Sequence, residues 1–147
     1  MWGEPEYYRF NGGRALSQEE VWLRLLRYWG SWAALGYGWW LIEERGTGRF
    51  VGEVGIHDLK RDTEPSYAGE PEVGWGLLPE FHGRGLAREA VTAMLKWASN
   101  LPVPRLVCVI KPENLRSIRL AEDVGFVREG DIEYKWGPMV LYSRRQT

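Results

Sequence analysis

The strongest constraint on the fold is a change of hydrophobic period in the middle of the chain. Residues 71-PEVGWGLL-78 alternate as a strand does, and Pro79 closes the run. From residue 84 to about 99, Leu86, Ala90, Val91, Met94, Leu95 and Ala98 recur at helical spacing. The apolar run 105-RLVCVIK-111 has the length and β-branched content of a buried strand, and 113-ENLRSIRLAEDV-124 reads as a helix stopped by Gly125. Strand-like runs around 126–134 and 138–143 complete the chain. Upstream, Ser17 and Glu20 make an S-x-x-E capping box for a helix in which Val21, Trp22, Leu25, Leu26, Trp29 and Trp32 form a stripe expected to pack in the core. Residues 39-WWLIEER-45 and 49-RFVGEVGIH-57 read as a hairpin about 46-GTG-48. A helix, three strands, a helix, a strand, a helix and two strands predict an α/β chain: one domain over 1–147, with a mixed sheet and helices on both faces.

The size, 147 residues, suits one sizeable core, and 44% hydrophobic with 27% charged residues is ordinary for a soluble domain. The sequence offers no apolar run near the roughly 20 residues that span a bilayer, and no signal peptide. Cys108 is the single cysteine, which fits a reducing cytoplasm, and its apolar neighbours favour a buried small hydrophobe over a reactive thiol. A net charge of −1 argues against nucleic-acid binding. The charge is uneven: residues 1–74 hold 12 acidic and 8 basic side chains, and residues 75–147 hold 8 acidic and 11 basic.

That basic half contains 79-PEFHGRGLAREA-90, two glycines and two arginines at a helix entrance. The first N–H groups of a helix lack intrahelical partners and carry partial positive charge, so an anion suits the place. A purely structural glycine-rich turn would look the same. The position, where a strand ends and a helix begins, favours a phosphate cradle. Neither the G-x-x-x-x-G-K-[ST] nor the G-x-G-x-x-G phosphate motif is present.

Three segments in this order resemble the GNAT acetyltransferases. They are 72-EVGWGL-77, 82-HGRGLA-87 (similar to the family's Q/R-x-x-G-x-G/A pyrophosphate loop) and 114-NLRSIRLAEDVGF-126. The spacing of Asn114, Ser117, Gly125 and Phe126 resembles the branch that includes ribosomal-protein N-terminal acetyltransferases. The resemblance covers roughly residues 15 to 145. It implies a GNAT-like domain with a mostly antiparallel central sheet, lacking the family's first strand and helix, and hence an open or partner-covered edge on strand 39–45. A homodimer would cover it.

The resemblance also implies roles. Acetyl-CoA would be the co-substrate and a primary amine the acceptor, with no metal. The pyrophosphate would sit on the backbone of Gly83, Arg84, Gly85, Leu86, Ala87 and Arg88. Arg84 and Arg88 would add charge unless they are simply solvated, and His82 stands where Gln or Arg is usual. The pantetheine arm would pair with the strand through Trp75, Gly76, Leu77 and Leu78, splayed by a bulge at Gly74 and Gly76, and an N–H between Gly76 and Leu78 would face the thioester carbonyl. Asn114 would contact the pantetheine. Ala121 replaces the tyrosine that commonly protonates the thiolate, leaving Ser117 or water.

Proton removal is the harder chemical problem. An alkyl amine of pKa about 10.4 is only about 0.04% neutral at pH 7, a handicap of roughly 4.6 kcal/mol. Glu72 and Glu53 are the candidate bases, with His57 third. Tryptophan-rich strands and the acidic first half suggest an aromatic cleft that attracts an ammonium group. A non-catalytic CoA-binding module and a pure interaction domain are the competing readings.

Overall fold

The computed structural model describes residues 1–146. A short helix α1 (Pro5–Tyr8) and a long α2 (Gln18–Leu35) precede the hairpin β1 (Trp39–Glu43) and β2 (Phe50–His57). There follow β3 (Glu72–Leu77), α3 (Leu86–Ala98), β4 (Arg105–Ile110), α4 (Leu115–Asp123), β5 (Val127–Tyr134) and β6 (Gly137–Arg145). The six strands form one sheet in the order β1-β2-β3-β4-β6-β5. Only β3 and β4 run parallel. Each element expected from the sequence is present within a few residues of its expected bounds, and α1 is the addition. No helix among the described residues is long and apolar enough to cross a membrane.

Alternation along β2 separates two environments. Val54 and Ile56 face a cluster with Val73, Val91, Met94, Leu95, Leu106, Cys108 and Ala121, packing α3 and α4 on that side. Glu53 faces the other way and is 1% exposed. Its carboxylate accepts hydrogen bonds from Tyr7 Oη at 2.7 Å, Trp2 Nε1 at 3.1 Å, Arg24 Nη2 at 3.0 Å and Tyr28 Oη at 2.9 Å. One buried charge thus anchors the N-terminal segment and α2 to the sheet.

This anchoring overturns the expected packing of α2. The capping box forms, Ser17 accepting from the Glu20 N–H while Glu20 accepts from the Ser17 N–H, and Gly36 closes the helix at φ +73°. The side turned inward, however, carries Arg24 and Tyr28. Trp22 and Trp29 are 55% and 70% exposed, and Leu25 and Leu26 are exposed with them. Of the three tryptophans assigned to the core stripe, Trp32 alone packs inward, edge-on to Trp40 at 4.8 Å and Trp97 at 5.8 Å. A buried carboxylate left without its donors costs more than an exposed tryptophan does, and this sets the rotation of the helix.

A second expectation also changes. β3 keeps an unbroken register with β2 from Gly52↔Leu77 to His57↔Glu72, and the register shifts lie in β1 and β5. Gly74 and Gly76 therefore make no bulge. They leave room for rings: a Cβ would stand 2.6 Å from Trp39 Cη2 at Gly74 and 2.2 Å from Tyr7 Cε2 at Gly76. The splay itself is present, because β3 and β4 share a single registered pair, Glu72↔Val107. β1 pairs only with β2, so its outer side is an edge of the sheet.

Replacing Glu53 by alanine strands Arg24 in a buried site. Urea unfolding is expected to show a loss of about 3–5 kcal/mol. A loss below about 1 kcal/mol would mean that the hub is not what holds α2.

Candidate active site

The glycine stretch lies between β3 and α3. After a single 3₁₀ turn at Pro79–Phe81, Gly83 takes φ +73° and Gly85 φ +77°, left-handed conformations that disfavour side chains. The first backbone bond of α3 runs from the Glu89 N–H to the Gly85 carbonyl at 3.1 Å. Among the described residues, the N–H groups of the six residues from Gly83 to Arg88 have no intramolecular acceptor. They form an exposed run of donors at a positive helix end. Arg84 pairs with Glu44 at 3.0 Å and lies over the Phe81 ring, and Arg88 pairs with Asp123. Both arginines stand at the rim. His82 is spent on structure: Nε2–H donates to the Leu77 carbonyl at 3.0 Å, and Nδ1 accepts from Arg116 at 3.0 Å. These partners fix its tautomer.

The β3 edge supplies a second row of backbone groups. Leu78 N–H donates to Val51 in the β2 direction at 2.9 Å, and Pro71 accepts from Val107 N–H of β4 at 3.0 Å. Period-two alternation turns Gly76 toward β2 with Leu78, and turns Val73, Trp75 and Leu77 toward β4. Beyond Glu72↔Val107 the β4 ladder stops. The backbone of Trp75 and the N–H of Leu77 then face the gap. Of the three N–H groups between Gly76 and Leu78, only that of Leu77 does so.

A cavity of about 750 Å³ opens from this gap between α2, the β2 end and the β5–β6 turn. His57, Glu72, Gly74, Trp75, Asn114 and Ser117 line it, and Glu53 does not. Asn114 caps α4, its Oδ1 accepting the Ser117 N–H at 3.3 Å. The Ser117 hydroxyl has no hydrogen bond among the described residues and is available to a ligand. Ala121, in place of the family's tyrosine, is fully buried. Cys108 is buried as well, and burial, helped by the Glu72 charge, pushes its thiol well above the usual range.

Glu72 is the most constrained group in the cavity. It accepts from Arg61 through Nε at 2.7 Å and Nη2 at 3.0 Å, and from Tyr67 Oη at 2.9 Å. Burial alone would raise its carboxyl, but His57 and Arg61 outweigh burial and hold it well below the carboxylate range. It is a poor base. Beside it His57 is 5% exposed, and Nε2 lies 3.2 Å from Glu72 Oε1 without hydrogen-bond alignment. Nδ1 also has no partner among the described residues. The ring tilts against Trp39 at 5.2 Å, and its Cε1 is 3.6 Å from where a Cβ on Gly74 would be. Of the three proton-accepting candidates, then, Glu53 is enclosed by four donors, Glu72 is held ionised, and His57 is buried at the gap beside the Glu72 carboxylate.

Sequence reading missed Arg61 and Tyr67, which hold Glu72, because they lie in an irregular loop with no period to mark them. It also missed Arg24 and Tyr28. Their i,i+4 spacing in α2 was a usable signal, masked by the heavier tryptophan stripe.

The chain belongs to the GNAT family: the acetyltransferase (GNAT) domain model matches residues 1–127. A putative GNAT-family acetyltransferase from Bordetella pertussis is 32% identical, with a TM-score of 0.83 over 91% of this chain and 81% of that one. At the level of fold alone, the ribosomal-protein-S5-alanine acetyltransferase of Vibrio fischeri matches with a TM-score of 0.73, 20% identity and coverage of 99% and 87%. A phosphinothricin acetyltransferase from Sinorhizobium meliloti, solved in complex with acetyl-CoA, matches with a TM-score of 0.71, 19% identity and coverage of 91% and 72%.

The depressed Glu72 carboxyl has a pH consequence. Its stabilising contribution is complete above the unfolded value of about 4.3 and is lost as pH falls through the folded one. Between about pH 5 and pH 2 the wild-type protein is expected to lose more stability than Glu72→Gln does. Denaturant midpoints across that range check it, and parallel slopes would refute it.

Proposed function

We propose that this protein is an acetyl-CoA-dependent N-acetyltransferase that passes the acetyl group directly to a primary amine. The observation that carries the reading is the run of six unpaired N–H groups from Gly83 to Arg88, continuous with the open β3 edge. Pyrophosphate needs the first feature and a pantetheine arm the second. Leu86 and Ala87 contribute backbone donors to that run, while Trp75 and Leu77 present the edge; Asn114 lies across the gap. The Leu77 N–H is placed to polarise the thioester carbonyl.

In this mechanism His57 removes the proton of the attacking ammonium group, and Glu72 stabilises the imidazolium that results. The amine nitrogen then bonds to the thioester carbon as the carbon–sulfur bond breaks, and the second proton that the nitrogen sheds passes, through Ser117 or water, to the departing thiolate. Neither Glu53 nor Glu72 is required as the base. The buried Cys108 supports a reducing, cytoplasmic setting.

Calorimetry with acetyl-CoA tests the binding reading. Micromolar affinity is expected, falling about tenfold or more in Gly85→Val, because a β-branched residue is strained at φ +77° and crowds the cradle. His57→Gln should retain that affinity while kcat falls by about 10²–10⁴. Binding without thiol release over a broad amine panel would leave a non-catalytic CoA-binding module. Absence of binding would remove the enzyme reading.

The open β1 edge and the exposed Trp22, Leu26 and Trp29 of α2 support a homodimer. Sedimentation velocity should give twice the chain mass at micromolar concentration. A monomer under those conditions would argue against it.

A further inference from the structure

The charge balance of the cavity runs opposite to that of the sequence around it. Arg14 pairs with Glu20, Arg24 with Glu53, and Arg61 with Glu72, so each of these cations is neutralised. Asp58 pairs with Lys60. Arg27, Lys111 and Lys135 also line the cavity, and among the described residues they make no ion pair. The cavity therefore carries uncompensated positive charge, although the first half of the chain is acidic.

The aromatic walls are occupied in the same sense. Arg24 lies over Trp2, Tyr28 and Trp39 at 5.0, 5.5 and 5.9 Å. Arg61 and Lys135 both lie over Tyr134 and Trp136, at 5.0 to 5.9 Å. Ring faces that would draw a ligand ammonium group already hold the protein's own cations. Burial, and then the charges of Arg24 and Arg61, lower the Arg27 guanidinium from its usual value, as expected for a cation left without its counter-ion. The faces of Trp39, Tyr134 and Trp136 that could draw an ammonium group are thus already covered by the protein's own cations.

We propose that the acceptor is a compact amine carrying a carboxylate, such as a free amino acid with an apolar or aromatic side chain. Its carboxylate is held by Arg27 and Lys135, and its amine is presented to His57. Two independent observations support this. One is the unpaired cationic side of the cavity; the other is the buried His57 imidazole at the β3 gap, 3.2 Å from Glu72 Oε1 without an aligned hydrogen bond. Trp75, whose ring carries no protein cation among the described residues, supplies an apolar wall for the body of the substrate. Polyamines and aminoglycosides are disfavoured by like charge. This inference rests on the transferase reading above.

The test compares L-phenylalanine, L-tyrosine and L-methionine with their carboxamides, and with spermidine and kanamycin, by release of the CoA thiol. The carboxamides have the more readily deprotonated amine, so a preference for the acids cannot arise from proton availability. KM is expected to be about tenfold or more lower for the acids, and Arg27→Gln and Lys135→Gln are expected to abolish that preference. Neither side chain makes a hydrogen bond or ion pair among the described residues, so neither substitution threatens folding. Preference for the carboxamides or the polycations, or a preference unchanged by both substitutions, would overturn the proposal and leave the transferase reading standing. Calorimetry of N-acetyl-L-phenylalanine against N-acetyl-L-phenylalaninamide, with CoA present, examines the cradle without chemistry. Arg27-dependent binding of the acid there, with no thiol release from any acceptor, would support the anion cradle and remove the transferase reading instead.

Discussion

The buried carboxylate of Glu53 is the constraint on which the rest of the structure depends. Enclosed in protein, it is tolerable only while its donors remain in place, and those donors come from the N-terminal segment and from α2. Satisfying it fixes where both segments lie on the sheet. It also turns Arg24 inward, and with it the cation-covered aromatic surface of Trp2, Tyr28 and Trp39. A residue that lines no part of the cavity thereby shapes one wall of it. The glycines of β3 belong to the same arrangement, since Tyr7 reaches Glu53 across Gly76, and Trp39 lies over Gly74.

A second device holds the glycine-loop side of the cavity together. His82 bridges the last carbonyl of β3 and Arg116 of α4, so the end of the splayed strand, the start of the glycine loop and the helix opposite are tied to one another. Side-chain chemistry closes the β3 edge at Leu77, while the Leu77 N–H and the Trp75 groups stay open toward the gap. The Leu77 carbonyl is thereby occupied, and that part of the edge is not free to pair elsewhere.

Much of this was legible in the sequence. The period change around Pro79, the capping box at Ser17 and Glu20, and the αL stop at Gly125 are local signals and match the observed elements. The glycine loop was legible for the same reason: its positive φ angles and free N–H groups follow from a few adjacent residues. The failures came where a distant partner decides. Trp22 and Trp29 have core-like chemistry and spacing, but α2 is rotated by Glu53, a residue of another element. Gly74 and Gly76 suggested a bulge, whereas their role is room for rings from β1 and α1. Glu72 read as a base, but Arg61 and Tyr67 reach it from a loop without periodicity and keep it ionised.

The sequence by itself determined the order of elements, the mixed sheet and the anion-ready helix entrance, because each arises from spacing and backbone preference within a single segment. Tertiary structure alone decided which carboxylate is locked, which histidine is set beside it and which cations lack an ion pair. Charge compensation depends on three-dimensional neighbours: an acidic half of the chain contributes its carboxylates to ion pairs, and the residues left over give the cavity its sign.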